Sequence, residues 1–118
     1  MVVLVDARNV LRSQWPNIPE KRLVELCAAW AARNARQVLV VFDGAAPGVG
    51  VGTEELDEHT TVVGTGAESA DDWLVRHAPG LAPVQLVTSD RELRGRVGDS
   101  ADTVTGGGRF ARELQEAP

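Results

Sequence analysis

Five aspartates account for most of the chemistry that this sequence can offer. Asp6, Asp43 and Asp90 each follow a run of mainly Val, Leu and Phe residues closely. The adjacent pair Asp71 and Asp72 opens an apolar helical pattern. Carboxylate oxygens are the ligands that Mg²⁺ and Mn²⁺ prefer. We therefore interpret these acids as the ligands of a divalent-cation site, whose expected chemistry is cleavage of a phosphodiester bond, most simply in RNA.

Strands and helices must alternate along the chain to bring these acids together. Apolar runs predict strands at 1–5, 38–42, 59–63 and 84–87, with a weak fifth at 103–105. Helical patterns lie between them, which predicts an α/β fold with a parallel sheet of four to five strands and helices on both faces. The ends of parallel strands share one edge of the sheet, so the acids are expected in one pocket. The length of 118 residues fits a single domain, 1–118.

Three details of this prediction bear on the site. A helix carrying Trp30 in the core is expected to end near Asn34, and a second helix is expected from Ala70 to about Ala78, before Pro79. The glycine- and proline-rich stretch 45–53 predicts a flexible loop, and the mostly acidic residues 54–58 that follow are expected to be solvated.

Each acid also has an explanation that requires no ligand. Ser69 with Asp72, and Ser89 with Glu92, fit the capping-box pattern. Asp71 and Asp90 are then first-turn acids favoured by the helix dipole.

Two further acids have their own local alternatives. Asp43 precedes Gly44 and suits a turn, and Asp6 is a possible N-cap for a segment starting at Asn9 or Val10. The joint arrangement favours a cation site, because carboxylates gathered in one empty pocket repel each other. Metal-independent cleavage lacks its usual groups, since the chain has only two histidines and one cysteine.

The charge of the chain limits how it can bind nucleic acid. A formal charge of −5 argues against general binding to phosphates, and Lys21 is the only lysine. Arginine binds phosphate through a planar fork, so Arg8 and Arg91 are the expected substrate contacts, with an arginine-rich composition as the alternative explanation. The single Cys27 and the lack of a long apolar run predict a cytoplasmic protein with no membrane span.

The order of these motifs resembles a known family. The matching segments are a first strand ending in Asp6 with Asn9 three residues later, then Val41 to Gly44, Glu68 to Asp72, and Val87 to Leu93. They are similar to the NYN domains of the PIN-like nuclease superfamily, and most similar to the YacP-like ribonuclease subgroup. The chain carries Ala7 and Arg8 where family members commonly have Gly-Tyr.

This resemblance implies a Rossmann-like sheet and an endoribonuclease that depends on Mg²⁺ or Mn²⁺. It implies catalytic acids at Asp6, Asp71 and Asp90. In the same reading, Asp43 and Asp72 complete the expected metal ligands. The residues expected to orient carboxylates or water by hydrogen bonds are Asn9, Thr88 and Ser89.

Two other functions stay open at this stage. One is a PIN-like domain that binds RNA or a protein without catalysis, which the altered Ala7 and Arg8 would suit. The other is a metal-dependent phosphatase of small molecules that uses the same sheet edge. The sequence does not determine whether the chain forms a homodimer or associates with the ribosome.

Overall fold

The apolar runs of the sequence form the centre of a sheet that is covered by helices on both faces. The structure is a computed structural model, and it describes residues 1–116, so the last two residues of the predicted domain lie outside the described part. The strands are β1 Val2–Asp6, β2 Val38–Phe42, β3 Gly52–Glu55, β4 Thr60–Gly64, β5 Val84–Val87 and β6 Ala101–Thr105. The helices are α1 Ala7–Arg12, α2 Glu20–Asn34, α3 Ala70–Leu81, α4 Arg91–Val97 and α5 Gly107–Gln115.

The sheet confirms the predicted α/β class. Its strand order is β3-β4-β2-β1-β5-β6, and all neighbours are parallel except β3 and β4. Strand β1 lies inside the sheet, with β2 on one side and β5 on the other. Strands β2 to β4 therefore extend the sheet on one side of β1, and strands β5 and β6 extend it on the other side. A crevice forms beside β1, where the strand order reverses.

The predicted number of strands was too low. Strand β3 lies within the stretch expected to be a loop and a solvated acidic segment, and it pairs with β4 at the edge of the sheet. Every residue of β3 is exposed. It is held by backbone pairing alone, so its side chains carry no alternation of apolar and polar residues that a sequence pattern could reveal.

The end of α3 also differs from the prediction, because the helix continues through Pro79 to Leu81. A proline inside a helix removes one backbone hydrogen bond. At Pro79 this loss falls in the last turn, where few hydrogen bonds remain to be made. The predicted end of α2 at Asn34 is confirmed, and Trp30 is buried in the core as expected.

Alternate residues of β1 supply the two cores of the domain. Val3 and Val5 pack in the cluster beneath α1, α2 and α5, whereas Leu4 packs in the cluster beneath α3 and α4. This burial on both faces explains why β1 reads as an unbroken apolar run. It also fixes the end of the strand, and with it the position of Asp6.

The close approach of a loop to the end of β4 yields a test of the fold. A Cβ atom on Gly64 would collide with the Gly50 carbonyl and lie 2.9 Å from both the Ala46 nitrogen and the Gly44 oxygen. We expect Gly64→Ala to lower the free energy of unfolding by roughly 1–3 kcal/mol, the usual cost of overpacking. Urea unfolding of the purified variant measures this.

The exposed Gly95 in α4 provides the matched control, because no atom lies within 4 Å of the position of its added Cβ. Gly95→Ala is expected to raise the free energy of unfolding by up to about 1 kcal/mol through helix propensity. A Gly64→Ala variant as stable as the unmodified chain would contradict the packing described here.

Candidate active site

Four of the five predicted aspartates meet at the edge of the sheet where the parallel strands end. They line one cavity of about 380 Å³. Its walls are Asp6, Arg8, Asn9, Arg12, Asp43, Ser69, Asp71 and Asp90. The residues come from the segments that follow β1, β2, β4 and β5, so the convergence expected from the topology is present.

Asp6 lies deepest in this cavity, with 5% of its surface exposed. Its Oδ2 atom accepts a hydrogen bond of 3.0 Å from the hydroxyl of Thr88, which is also buried. The same hydroxyl oxygen accepts a 3.1 Å hydrogen bond from the backbone N–H of Asp90. One threonine therefore links the ends of β1 and β5 and fixes the orientation of Asp6.

The environment of Asp6 opposes its negative charge. Burial raises the pKa of Asp6 to about 6, the charges of Asp71 and Asp43 add to the rise, and the hydrogen bond from Thr88 opposes it. The backbone N–H of Asn9 also lowers this pKa, but Asp6 makes no side-chain capping hydrogen bond to α1. Asp6 therefore occupies the N-cap position of α1, which begins at Ala7, but without the side-chain hydrogen bond of a helix cap.

Asp71 lies in the first turn of α3 and is half-buried. Desolvation raises its pKa, and the negative charges of Asp90 and Asp43 raise it further. Within residues 1–116, no side chain or backbone group donates a hydrogen bond to its carboxylate. Both of its oxygen atoms are consequently open to a ligand in the cavity.

Asp43 fixes the start of α3 and one arginine at the rim. Its Oδ1 atom accepts a 2.8 Å hydrogen bond from the backbone N–H of Ala70, and its Oδ2 atom lies 3.5 Å from Nε of Arg8. Ser69 caps the same helix by accepting from the backbone N–H of Asp72 at 3.0 Å, as its sequence pattern predicted. These contacts set the position of Asp71.

The predicted cap at Ser89 is wrong, because Asp90 caps α4. The Oδ1 atom of Asp90 accepts from the backbone N–H groups of Glu92 and Leu93, at 2.9 and 3.2 Å. Ser89 precedes the helix by one residue more than a cap should. Both capping bonds use one oxygen of Asp90, which leaves Oδ2 for the cavity.

Ser89 and Asn9 join three segments around the acids. The side-chain oxygen of Asn9 accepts from the backbone N–H of Ser89 at 2.9 Å, and the Ser89 hydroxyl accepts from the N–H of Gly107 at 2.9 Å. A Cβ atom on Gly107 would collide with the Asn9 side chain. Sequence reasoning missed Gly107, since one glycine within Gly106 to Gly108 carries no individual signal.

Four predicted site residues do not line the cavity. Thr88 and Ser89 bond to residues that do line it, whereas Asp72 and Arg91 lie elsewhere. Asp72 follows Asp71 on the helix and therefore points about 100° away from it. Its Oδ1 atom binds Arg96 at 2.7 Å, and this hydrogen bond lowers the pKa of Asp72. Arg91 lines a separate cavity of about 480 Å³ together with Arg94. The directions of Asp72 and Arg91 depend on the residues at which α3 and α4 begin, and a sequence pattern defines helix starts poorly.

The donors in the cavity fit a hard divalent cation. All are oxygens of carboxylate, amide or hydroxyl groups, and neither histidine lines the cavity. Within residues 1–116, no three His, Cys, Asp or Glu side chains are close enough together to ligate one ion directly. Mg²⁺ commonly retains several waters and uses only one or two carboxylates, so a spread of acids around one cavity suits it.

The raised pKa of Asp6 makes the stability of the metal-free protein depend on pH. The charged form is disfavoured only in the folded state, so stability is lost as pH rises from about 4 to about 6. Asp6→Asn removes this loss, and its amide oxygen still accepts from Thr88. We expect the variant to be more stable at pH 7 by up to about 3 kcal/mol, with no difference below pH 4.

Chemical denaturation in chelator between pH 4 and pH 8 measures this difference. Asp102→Asn, which changes an exposed acid on β6, is the matched control and should follow the unmodified chain at every pH. A difference between Asp6→Asn and the unmodified chain that is constant with pH would contradict the electrostatic explanation.

Comparison with known proteins agrees with this architecture. The crystal structure of Rae1 (YacP) from Bacillus subtilis is similar, with a TM-score of 0.74 and 21% sequence identity over 98% of this chain and 74% of that one. A mutant of the same protein with leucine in place of a tryptophan gives a TM-score of 0.71 and 21% identity, over 98% and 75% of the two chains. These likenesses concern the fold.

A family model gives a more direct assignment. Among curated proteins no significant match was found. The YacP-like NYN domain, whose name points to a nuclease, matches residues 3–118. The chain therefore belongs to the YacP-like NYN domain family, as its acidic motifs indicated.

Proposed function

We propose that this chain is a divalent-cation-dependent endoribonuclease that leaves 5′-phosphate and 3′-hydroxyl ends. The observation that carries the proposal is the single cavity lined by Asp6, Asp43, Asp71 and Asp90 at the reversal point of a YacP-like NYN sheet. The cost of crowding these charges supports a site that is completed by a cation. The family assignment supports RNA as the substrate.

Asp6, Asp71 and Asp90 would hold Mg²⁺ or Mn²⁺, one or two of them directly and the rest through bound water. Within residues 1–116 no group donates a hydrogen bond to the Asp71 carboxylate, and the capping bonds of Asp90 use only Oδ1. When bound, such a cation acidifies a water molecule and neutralises charge that develops on the phosphate. The proposal leaves Asp72 out of this set, since its ion pair with Arg96 lies outside the cavity. Asp43 contributes by holding Ala70 and Arg8 rather than as a direct ligand.

The surrounding residues then position substrate and acids. Thr88 donates to Asp6 and restricts its rotation. The oxygen of Asn9 is engaged by Ser89, so its NH₂ group is available to donate to a phosphate oxygen. Arg8 is 59% exposed and only loosely paired with Asp43, so it can also bind phosphate. Hydrolysis joins a water oxygen to phosphorus and releases the 3′-oxygen as a hydroxyl.

The expected cytoplasmic location and the lack of a membrane span are also part of this proposal. Among residues 1–116, no helix is long and apolar enough to cross a membrane. The buried, unpaired Cys27 supports a reducing compartment such as the cytoplasm.

Incubation of short RNAs with Mg²⁺ or Mn²⁺ tests the activity directly. We expect cleavage that chelator abolishes and that Asp71→Asn lowers by at least about 100-fold, because a carboxylate that would hold the cation is lost. Asp102→Asn on β6 is the matched control and should keep full activity. End analysis should find 5′-phosphate and 3′-hydroxyl groups.

Three outcomes of this assay would contradict the proposal. Products with cyclic 2′,3′-phosphate ends would indicate attack by the RNA's own hydroxyl. Release of phosphate from nucleotides without RNA cleavage would favour a phosphatase. No cleavage of any RNA, with binding retained, would favour the binding domain without catalysis.

Cation binding itself has a pH dependence that can be measured without RNA. Bound Mn²⁺ should raise the thermal unfolding midpoint at pH 7.5, and the rise should disappear in Asp71→Asn. Because the pKa of Asp6 is about 6, the apparent affinity should fall roughly tenfold for each pH unit below that value. An affinity that does not change between pH 7 and pH 5 would contradict the assignment of Asp6 as a ligand.

A further inference from the structure

A second cavity, of about 430 Å³, adjoins the acidic one. The two cavities share Arg8, Arg12 and Asp43 as a common wall. Together they form one groove that begins at the aspartates and passes the arginines. Because two of the three shared residues are arginines, a polyanion placed at the acids can continue into the second cavity.

The second cavity combines an apolar floor with a polar rim. Phe42 and Ile18 are 3% and 6% exposed and form the apolar part together with Leu11. Asn17 and Glu20 line its other side. The accessible lining is more polar than apolar, so a nucleobase would bind mainly through its hydrogen-bonding edge, whereas Glu20 would repel a phosphate there. The cavity is therefore matched to a base, and the arginine wall to the adjoining phosphates.

Arg8 and Arg12 are four residues apart on α1 and so lie on the same side of the helix. Both side chains line both cavities. In a chain with a formal charge of −5, two cations at one wall form a local site rather than a general basic surface.

Trp15 lies in the segment that joins α1 to the cavity residues Asn17 and Ile18, and at 90% it is the most exposed large apolar residue within 1–116. It follows Arg12 by three residues and precedes the cavity residue Asn17 by two. In the orientation that satisfies both of its groups, the Asn17 amide donates to the carbonyls of Leu11 and Gln14, at 3.3 and 2.8 Å. These bonds hold the backbone of the turn that carries Trp15, and the exposed indole is accessible to a base that stacks on it.

We propose that the second cavity is a subsite for an unpaired nucleotide next to the cleaved phosphate, with Arg8 and Arg12 binding phosphates and Trp15 stacking a further base. A base that enters the cavity cannot remain paired in a duplex, so the RNA must be unpaired at this position. This inference rests on the proposed nuclease function for the position of the cleaved bond, but binding can be measured without cleavage.

The test is binding in chelator, where no cation-dependent cleavage occurs. A fluorescent octamer of uridine or adenosine is titrated with the protein, beside an RNA hairpin of fully paired stem as the duplex probe. Trp15→Ala should weaken octamer binding about tenfold, the usual effect of losing one base stack. Trp15→Phe should restore most of it, because another aromatic ring can stack.

Arg12→Gln should weaken binding by a similar factor and flatten the slope of log affinity against log salt by about 0.7, as expected for one lost phosphate contact on a single strand. Arg33→Gln is the matched control, because Arg33 is an exposed arginine at the far end of α2, just before β2 begins. It should alter neither affinity nor slope.

Intrinsic fluorescence gives an independent readout. Trp30 and Trp73 are 6% and 9% exposed, so solvent-sensitive emission comes mainly from Trp15. Unlabelled octamer should quench this emission in the unmodified chain and not in Trp15→Phe.

The subsite is overturned if neither Trp15→Ala nor Arg12→Gln weakens octamer binding, if the hairpin binds as tightly as the octamer, or if the unmodified chain binds neither probe. Cation-dependent cleavage with binding unaffected by both variants would leave the nuclease function standing and remove the subsite. Binding that depends on Arg12 and Trp15 without any cleavage would support the subsite and contradict the nuclease function.

Discussion

Mutual repulsion among carboxylates is the constraint that the rest of this site must accommodate. Asp6 is buried. The pKa of Asp71 is raised by desolvation and by the charges of Asp90 and Asp43. Asp43 and Asp90 also bind the starts of α3 and α4, but within residues 1–116 no such bond accounts for Asp71. An apolar residue at the end of β1 would cost less than a buried aspartate. Their arrangement is intelligible if a cation offsets the repulsion when the site operates.

The protein contacts around the acids hold this unfavourable arrangement in place. Thr88 connects Asp6 with the backbone of Asp90, and Asp43 connects the end of β2 with the start of α3. Asn9 is joined to the segment at Ser89. Apart from the local bond between Thr88 and Asp90, these bonds join segments far apart in sequence, so the geometry of the cavity depends on the whole sheet.

The sequence predicted the elements that have a strong apolar pattern. The strands ending in Asp6 and Phe42 are buried on both faces, so their position and the convergence of the acids follow from simple periodicity. Prediction from the sequence failed where the side chains carry no apolar pattern. The edge strand around Thr53 is held by backbone pairing, and the direction of Asp72 depends on the rotation of one helix by a single residue. The cap at Asp90 rather than Ser89 is a shift of the same size.

The central claim is that Asp6, Asp71 and Asp90 hold a divalent cation. Anomalous diffraction from crystals soaked in Mn²⁺ tests it most directly, because the metal is located without reference to activity. The account predicts an anomalous peak inside the cavity, with oxygen atoms of one or two of these aspartates and water around it at about 2.1–2.2 Å, near the spacing typical of small hard cations, and the remaining acid bound through water. A peak elsewhere on the surface, or no peak in the cavity at saturating Mn²⁺ and pH 7.5, would contradict it.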